Sequence, residues 1–99
     1  MFDATVDLTA QLDVDLRPTV LETPLARRPE FDAAGAEVWA KAENHQVTGS
    51  FKFRGASAKI STLVNSKVPR PIITASTGNH GLAVTMAASG VGRRATVFV

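Results

Sequence analysis

The sequence contains no cysteine among its 99 residues. This absence excludes disulfide bonds and thiolate metal sites, and it favours a reducing compartment. The two histidines, His45 and His80, lack the spacing of metal ligands, so we expect no metal site. No apolar run approaches the roughly 20 residues of a membrane span, and the acidic segment 1–7 lacks the apolar core of a signal peptide. We therefore predict a soluble, cytoplasmic protein with no membrane partner.

The charged residues form no cluster of one sign. The net charge is +2, with basic and acidic side chains spread along the chain. A nucleic-acid-binding surface needs a basic cluster, so we expect no nucleic-acid partner. The hydrophobic content of 44% and charged content of 20% are typical of a globular chain. A chain of this length forms one small domain or part of a larger one.

The first half of the chain predicts one helix and one clear strand. Apolar residues at helical spacing predict a helix over residues 5–16, which ends before Pro18 because the residue preceding a proline disfavours helical geometry. Residues 19–25 are predicted to be extended. Alternation over residues 37–42 predicts a strand with its small apolar residues on one side.

The second half has the pattern of an α/β protein. A helix is expected from Ser50 to residue 63 or 64, followed by a buried strand over 72–75, a helix over 82–89 and a second buried strand over 95–99. A strand–helix–strand unit makes its two strands parallel, with a right-handed crossover. Two short parallel strands cannot cover both faces of a sheet. We therefore expect these residues to be the front portion of a larger α/β protein.

A lysine stands at the start of the helix that follows Ser50. Lys52 lies between Phe51 and Phe53, and Ser50 is placed to cap the first turn. Both the positive end of the helix dipole and the apolar neighbours favour the neutral amine, which forms Schiff bases with carbonyl compounds. The alternative is a surface lysine that extends past two core phenylalanines.

The turn from Ser76 to Gly81 follows a predicted strand and opens the next helix. Ligands of α/β proteins bind at this position, where backbone N–H groups can hold a carboxylate or a phosphate. The side chains of Ser76, Thr77 and Asn79 add donors. The alternative is a polar connection in which Thr77 or Asn79 caps the helix and Gly78 shapes the turn.

Two segments together carry a family resemblance. Residues 46–56 (Gln-Val-Thr-Gly-Ser-Phe-Lys-Phe-Arg-Gly-Ala) and 75–81 (Ala-Ser-Thr-Gly-Asn-His-Gly) resemble paired motifs of the fold-type-II (tryptophan synthase β-like) pyridoxal-phosphate-dependent enzymes. They stand in the family's order and at about its separation, and they are similar to the threonine/serine dehydratase–serine racemase branch. Residues 22–25 resemble the strand that opens many members. The resemblance covers residues 18–99.

The resemblance implies a role for each motif residue. Lys52 would be the catalytic residue, binding pyridoxal 5'-phosphate through a Schiff base and taking the substrate's Cα proton. Phe51 would lie against the cofactor, and Asn79 would donate a hydrogen bond to its 3'-oxygen. The loop that would bind the substrate carboxylate comprises Ser76, Thr77, Gly78, Asn79 and His80. The implied reaction is deamination of a small hydroxy amino acid, threonine or serine, to a 2-keto acid and ammonia.

One residue distinguishes the branches of the family. Serine racemases resemble this chain but carry a second serine where Thr77 stands, as the base on the opposite face. A β-branched side chain is stiffer about χ1, which favours a lyase over a racemase. Serine racemase, or another β-eliminating or β-replacing member, is the alternative.

The resemblance also implies an architecture of two domains with parallel sheets in three α/β/α layers. Residues 1–70 would begin the large cofactor-binding domain, and residues 71–99 would begin the small domain. The family's glycine-rich phosphate loop is expected downstream of these residues, so a truncated, non-catalytic fragment is an alternative of another class. The full-length protein is expected to be a homodimer.

Overall fold

A computed structural model describes residues 2–67 and 69–99 as a mixed α/β chain. Its helices and strands are α1 (Phe2–Leu16), β1 (Leu25–Arg27), β2 (Trp39–Lys41), α2 (Lys52–Asn65), β3 (Ile72–Ala75), α3 (Asn79–Gly90) and β4 (Ala95–Phe98). Short 3-10 helices span Pro29–Phe31 and Glu43–His45. Within the described ranges, every helix is too short or too polar to cross a bilayer.

Strands β1 and β2 form an antiparallel pair, in which Ala26 lies opposite Ala40. The predicted alternation is confirmed, since Val38 and Ala40 are half-buried whereas Trp39 and Lys41 are exposed. This pair forms a sheet of its own, apart from the parallel pair of β3 and β4. Its strands are close in sequence, and a short connection can join only antiparallel neighbours.

Strands β3 and β4 are parallel, as predicted, with Ile72 opposite Ala95 at one end and Ala75 opposite Phe98 at the other. Helix α3 connects them and packs on both strands and on α2. The prediction that both strands are fully buried is wrong. Ile73 is 59% exposed and Phe98 62% exposed, because the described helices cover one face of the sheet and leave the other open.

The core lies where α2 meets α3. Its largest members on α2 are Phe53 and Ile60, each 3% exposed, and their spacing of seven residues places both on one face of that helix. Helix α3 contributes mainly small side chains, which let the two helices approach closely. The core comprises Leu16, Val20, Phe53, Ala56, Ile60, Ile72, Ala83, Val84, Ala87 and Ala88.

Helix α3 begins at Asn79, earlier than the predicted Leu82, and its first turn lies directly on β4. A Cβ atom at Gly81 would lie 3.0 Å from Cγ1 of Val97 and 3.4 Å from both Cβ and the carbonyl oxygen of Ser76. A methyl group at this position requires its neighbours to shift by a few tenths of an ångström. Gly81 therefore fixes how closely the turn that starts at Ser76 approaches the sheet.

We expect Gly81→Ala to lower the free energy of unfolding by about 1–3 kcal/mol, because the added methyl group forces α3 away from β4. Chemical denaturation measures this change. Gly90→Ala is the matched control, since a Cβ there meets nothing within 4 Å and alanine favours the helix. Equal stability of the two variants would contradict the close packing described for Gly81.

Candidate active site

A partly buried ion pair anchors the first turn of α2. The guanidinium of Arg54 donates from Nε to Oε2 of Glu43 and from Nη2 to Oε1, each at 3.0 Å. Arg54 Nη2 also donates to the carbonyl oxygen of Leu21 at 2.9 Å, and the hydroxyl of Thr23 donates to Glu43. The hydrogen bond from Arg54 holds the pKa of the Glu43 carboxyl below its usual range. This network ties α2 to two earlier segments of the chain.

The side chain of Gln46 makes a second link between these segments. Gln46 is 4% exposed. Its Oε1 accepts from the backbone N–H groups of Leu21 and Val47 at 2.8 and 3.1 Å, and its Nε2 donates to the carbonyl oxygen of Leu21 at 2.9 Å. Because its polar atoms are paired in this way, the buried amide fixes the backbone of both segments and leaves no polar atom of its own unsatisfied. The backbone that leads to Lys52 is therefore held in place.

The turn before α2 differs from the predicted cap. Phe51 is the residue that precedes the helix, and no side chain caps the first turn. Ser50 is thus one position too early to cap it, and its buried hydroxyl has no hydrogen-bond partner among the described residues. The backbone N–H of Gly49 donates to the carbonyl oxygen of Gln46 at 2.8 Å, and its φ of +73° is a conformation that favours glycine.

Lys52 is the first residue of α2, and its side chain is exposed. Its Nζ lies 4.5 Å from the centroid of the Phe51 ring, at a distance where the ring face attracts a cation. Phe53 is 3% exposed and belongs to the core. The expectation that two phenylalanines would flank and desolvate the amine is therefore wrong, since the second one is buried under the helix.

A groove of about 440 Å³ runs along one side of α2, with β3 and the start of α3 opposite. Three of the predicted site residues line it: Phe51, Lys52 and His80. The rest of the wall is mostly apolar. It comprises Gly55, Ala56, Lys59, Ile60, Leu63, Pro71, Ile72, Ile73, Thr74 and Val84. The fold thus brings the predicted lysine and one residue of the second motif, His80, to one cavity.

The turn that precedes α3 presents backbone and side-chain donors to solvent. Gly78 is the residue before the helix, and its N–H donates to the Ser76 hydroxyl at 3.2 Å. No side chain caps α3, so the alternative in which Thr77 or Asn79 serves as the cap is wrong. Thr77, Gly78 and Asn79 are exposed, and the first N–H groups of any helix lack partners within it. An anion can bind there.

The structure separates the predicted turn residues into two groups. His80 lines the groove, whereas Ser76, Thr77, Gly78 and Asn79 do not. The roles predicted for these residues remain predictions. Sequence reasoning missed the Glu43–Arg54 pair, whose partners are 11 positions apart and belong to no periodic pattern. The one sequence feature that pointed to this pair is Arg54 itself, a charged residue two positions after Lys52.

A family model described as "Pyridoxal-phosphate dependent enzyme" matches residues 16–99. A "Putative threonine dehydratase" of Sinorhizobium fredii is 48% identical over 79 residues, covering 79% of this chain and 24% of that protein. The "L-threonine dehydratase catabolic TdcB" of Staphylococcus aureus is 40% identical over 86 residues, covering 85% of this chain and 25% of that protein. The chain therefore spans about a quarter of the length of these curated relatives.

Two solved structures share this fold. Maize serine racemase superposes with a TM-score of 0.78 at 34% sequence identity, covering 93% of this chain and 29% of that one. A pyridoxal 5'-phosphate-dependent aspartate racemase also has a TM-score of 0.78, at 35% identity, covering 93% of this chain and 30% of that one.

We expect Glu43→Gln to lower the free energy of unfolding by about 1–3 kcal/mol at neutral pH, because Arg54 loses its charged partner. The folded-state pKa of Glu43 is lowered, so the stability from the pair is complete above pH ~4.3 and is lost as the pH falls through the lower folded value. Denaturation curves from neutral to acid pH measure this effect. Glu30→Gln is the control, since its pair with Arg28 is solvent-exposed. An identical loss in both variants would contradict the anchoring role.

Proposed function

The chain belongs to the family of pyridoxal-phosphate dependent enzymes, and we propose that it forms part of a lyase that deaminates threonine or serine. The observation that carries this proposal is the groove that Lys52, Phe51 and His80 share. The relatives named as threonine dehydratases, at 40% and 48% identity, support the substrate class. The products would be a 2-keto acid and ammonia.

The residues of the groove fit pyridoxal 5'-phosphate. The groove's volume of about 440 Å³ suits a small planar ligand. Ligand sites of this kind are mostly apolar with a few polar groups. Lys52 supplies the primary amine that an aldehyde needs, with Phe51 beside it. Asn79, which precedes the lining residue His80 at the start of α3 but does not itself line the groove, would hydrogen-bond the ring oxygen. When bound, the cofactor supplies an electron sink for the pair left at Cα.

The chain's own residues would divide the remaining work. Lys52 would take the Cα proton of the substrate. The open N–H groups at the start of α3, with Ser76, Thr77, Gly78, Asn79 and His80, would bind and orient its carboxylate. The substrate loses its β-hydroxyl as water, and addition of one water then releases ammonia, so the net reaction expels ammonia alone.

Racemisation of serine is the second candidate function. Two solved structures that resemble this chain, each with a TM-score of 0.78, are racemases. Thr77 argues for the lyase, because its branched side chain is stiffer than a serine that would deliver a proton to the opposite face. A truncated fragment without catalysis is the candidate of another class.

We also propose a domain division, a cellular location and an assembly for the full-length protein. We place the division between a large and a small domain at residues 70 and 71, in the connection from α2 to β3. Helices α2 and α3 pack on each other across that division. A cytoplasmic homodimer is the form that we propose for the full-length enzyme.

We expect borohydride reduction of the chain with pyridoxal 5'-phosphate to label Lys52, because its amine opens into the groove. Peptide mapping by mass spectrometry locates the label, and Lys52→Ala should abolish it while Lys67→Ala leaves it intact. Label spread evenly over the lysines would overturn the proposal.

Product analysis separates the candidate functions. With L-serine, the lyase gives pyruvate and ammonia, whereas a racemase gives D-serine. A labelled chain that forms neither product would favour the non-catalytic fragment.

A further inference from the structure

The fold brings together three arginines that are far apart in the sequence. Arg70 lies two residues before β3, and Arg93 and Arg94 lie directly before β4. The two strands are parallel with Ile72 opposite Ala95, so both begin at the same edge of the sheet. Nη2 of Arg93 donates a hydrogen bond to the carbonyl oxygen of Arg70 at 2.6 Å. We call these three arginines the arginine edge.

The arginine edge carries positive charge without an acidic partner. Its members take part in no ion pair within the part of the chain that the structure describes. The sequence has no aspartate or glutamate after Glu43, so the segments that form this edge supply none. Arg70 and Arg94 are exposed, and Arg93 is half-buried. Val91, two positions before Arg93, adds an apolar side chain that is 43% exposed.

Helix α1 has the opposite charge. It contains four aspartates and no lysine, arginine or histidine. Asp7 and Asp15 are exposed, and neither takes part in an ion pair with another described residue. The helix also exposes Val6, Leu8 and Val14, at 62%, 60% and 55%. Interfaces commonly combine apolar contacts with charges of complementary sign, and α1 offers both to a basic surface.

The chain leaves most of α1 uncovered. Among the described helices and strands, α1 packs only on α2. The radius of gyration is 16.0 Å, whereas a compact chain of this length has about 13 Å. The end of α1 lies near the arginine edge, because Asp15 lines a small cavity with Gly90 and Val91, shortly before Arg93. The acidic helix and the basic edge are therefore at the same end of the molecule.

We propose that a second copy of this chain binds the arginine edge through its α1 helix, and that the contact is reciprocal. Because both surfaces lie at one end of the molecule, a two-fold axis there places each acidic helix on the arginine edge of the other copy. Such a pairing closes, since the same two surfaces meet twice and neither is left for a third copy. None of the three arginines lines the groove, so this inference stands apart from the proposed lyase function.

Self-association of the 99-residue chain tests this inference. Sedimentation equilibrium gives the dissociation constant of the dimer at each salt concentration. We expect this constant to rise about tenfold or more between ~0.01 M and ~1 M salt, because the screening length falls from ~30 Å to ~3 Å. A chain that stays monomeric at low salt, or a dimer whose affinity does not depend on salt, would overturn the proposal.

Charge-reversal variants locate the contact. Arg94→Glu and Asp7→Lys should each weaken the dimer about tenfold, because like charges then face each other. An equimolar mixture of the two variants should recover the wild-type affinity, since both contacts of the mixed dimer again join opposite charges. Arg28→Glu and Glu22→Lys, at exposed positions outside both surfaces, are the matched controls and should leave the affinity unchanged.

Two results with these variants would overturn the proposal. One is equal weakening by the controls, which would show a general effect of charge. The other is a mixture that fails to recover the affinity although circular dichroism shows both variants folded, because the helix and the edge then do not face each other.

Nucleic acid is the other class of partner that suits a basic edge. Fluorescence anisotropy with a labelled single-stranded oligonucleotide separates it from a second copy. We expect Arg94→Glu to bind the oligonucleotide as weakly as the wild-type chain does. Tight binding by the wild-type chain that is lost in Arg94→Glu and kept in Asp7→Lys would assign the arginine edge to nucleic acid and overturn the proposal.

Discussion

The hydrogen-bonded pair of Glu43 and Arg54 is the contact on which the site depends. Arg54 lies in the first turn of α2, two residues after Lys52, and its guanidinium reaches both carboxylate oxygens of Glu43 at 3.0 Å. The same guanidinium binds the backbone at Leu21. Phe53, about 100° away around the helix, enters the core. These two attachments fix the rotation of α2 about its axis, and with it the direction in which Lys52 points.

Both helices that border the groove present their first residues to it. Lys52 is the first residue of α2 and His80 the second of α3, and both line the cavity. A helix start carries partial positive charge and free N–H groups. The electrostatics of the groove therefore come from backbone placement as well as from lysine side chains. The close contact of Gly81 with Val97 maintains this placement at α3.

Local periodicity explains which features could be predicted from the sequence. The family resemblance, the parallel strand pair and the alternation about Ala40 are confirmed, because each is encoded in neighbouring residues. The Ser50 cap was wrong, since a shift of one residue in the turn decides which side chain can reach the free N–H groups. Burial of Ile73 was also wrong, because burial depends on what covers a face. The Glu43–Arg54 pair is a long-range contact that leaves no periodic signal.

The open face of the β3–β4 sheet has a consequence for synthesis in the cell. Ile73 and Phe98 lie on it at 59% and 62% exposure, and a two-stranded sheet has unpaired backbone groups along both outer edges. Exposed edges and apolar faces recruit strands from neighbouring chains. During synthesis, packing of other parts of the same chain onto this face competes with aggregation between chains. The yield of folded protein should then fall with the local concentration of nascent chains and rise with chaperone supply.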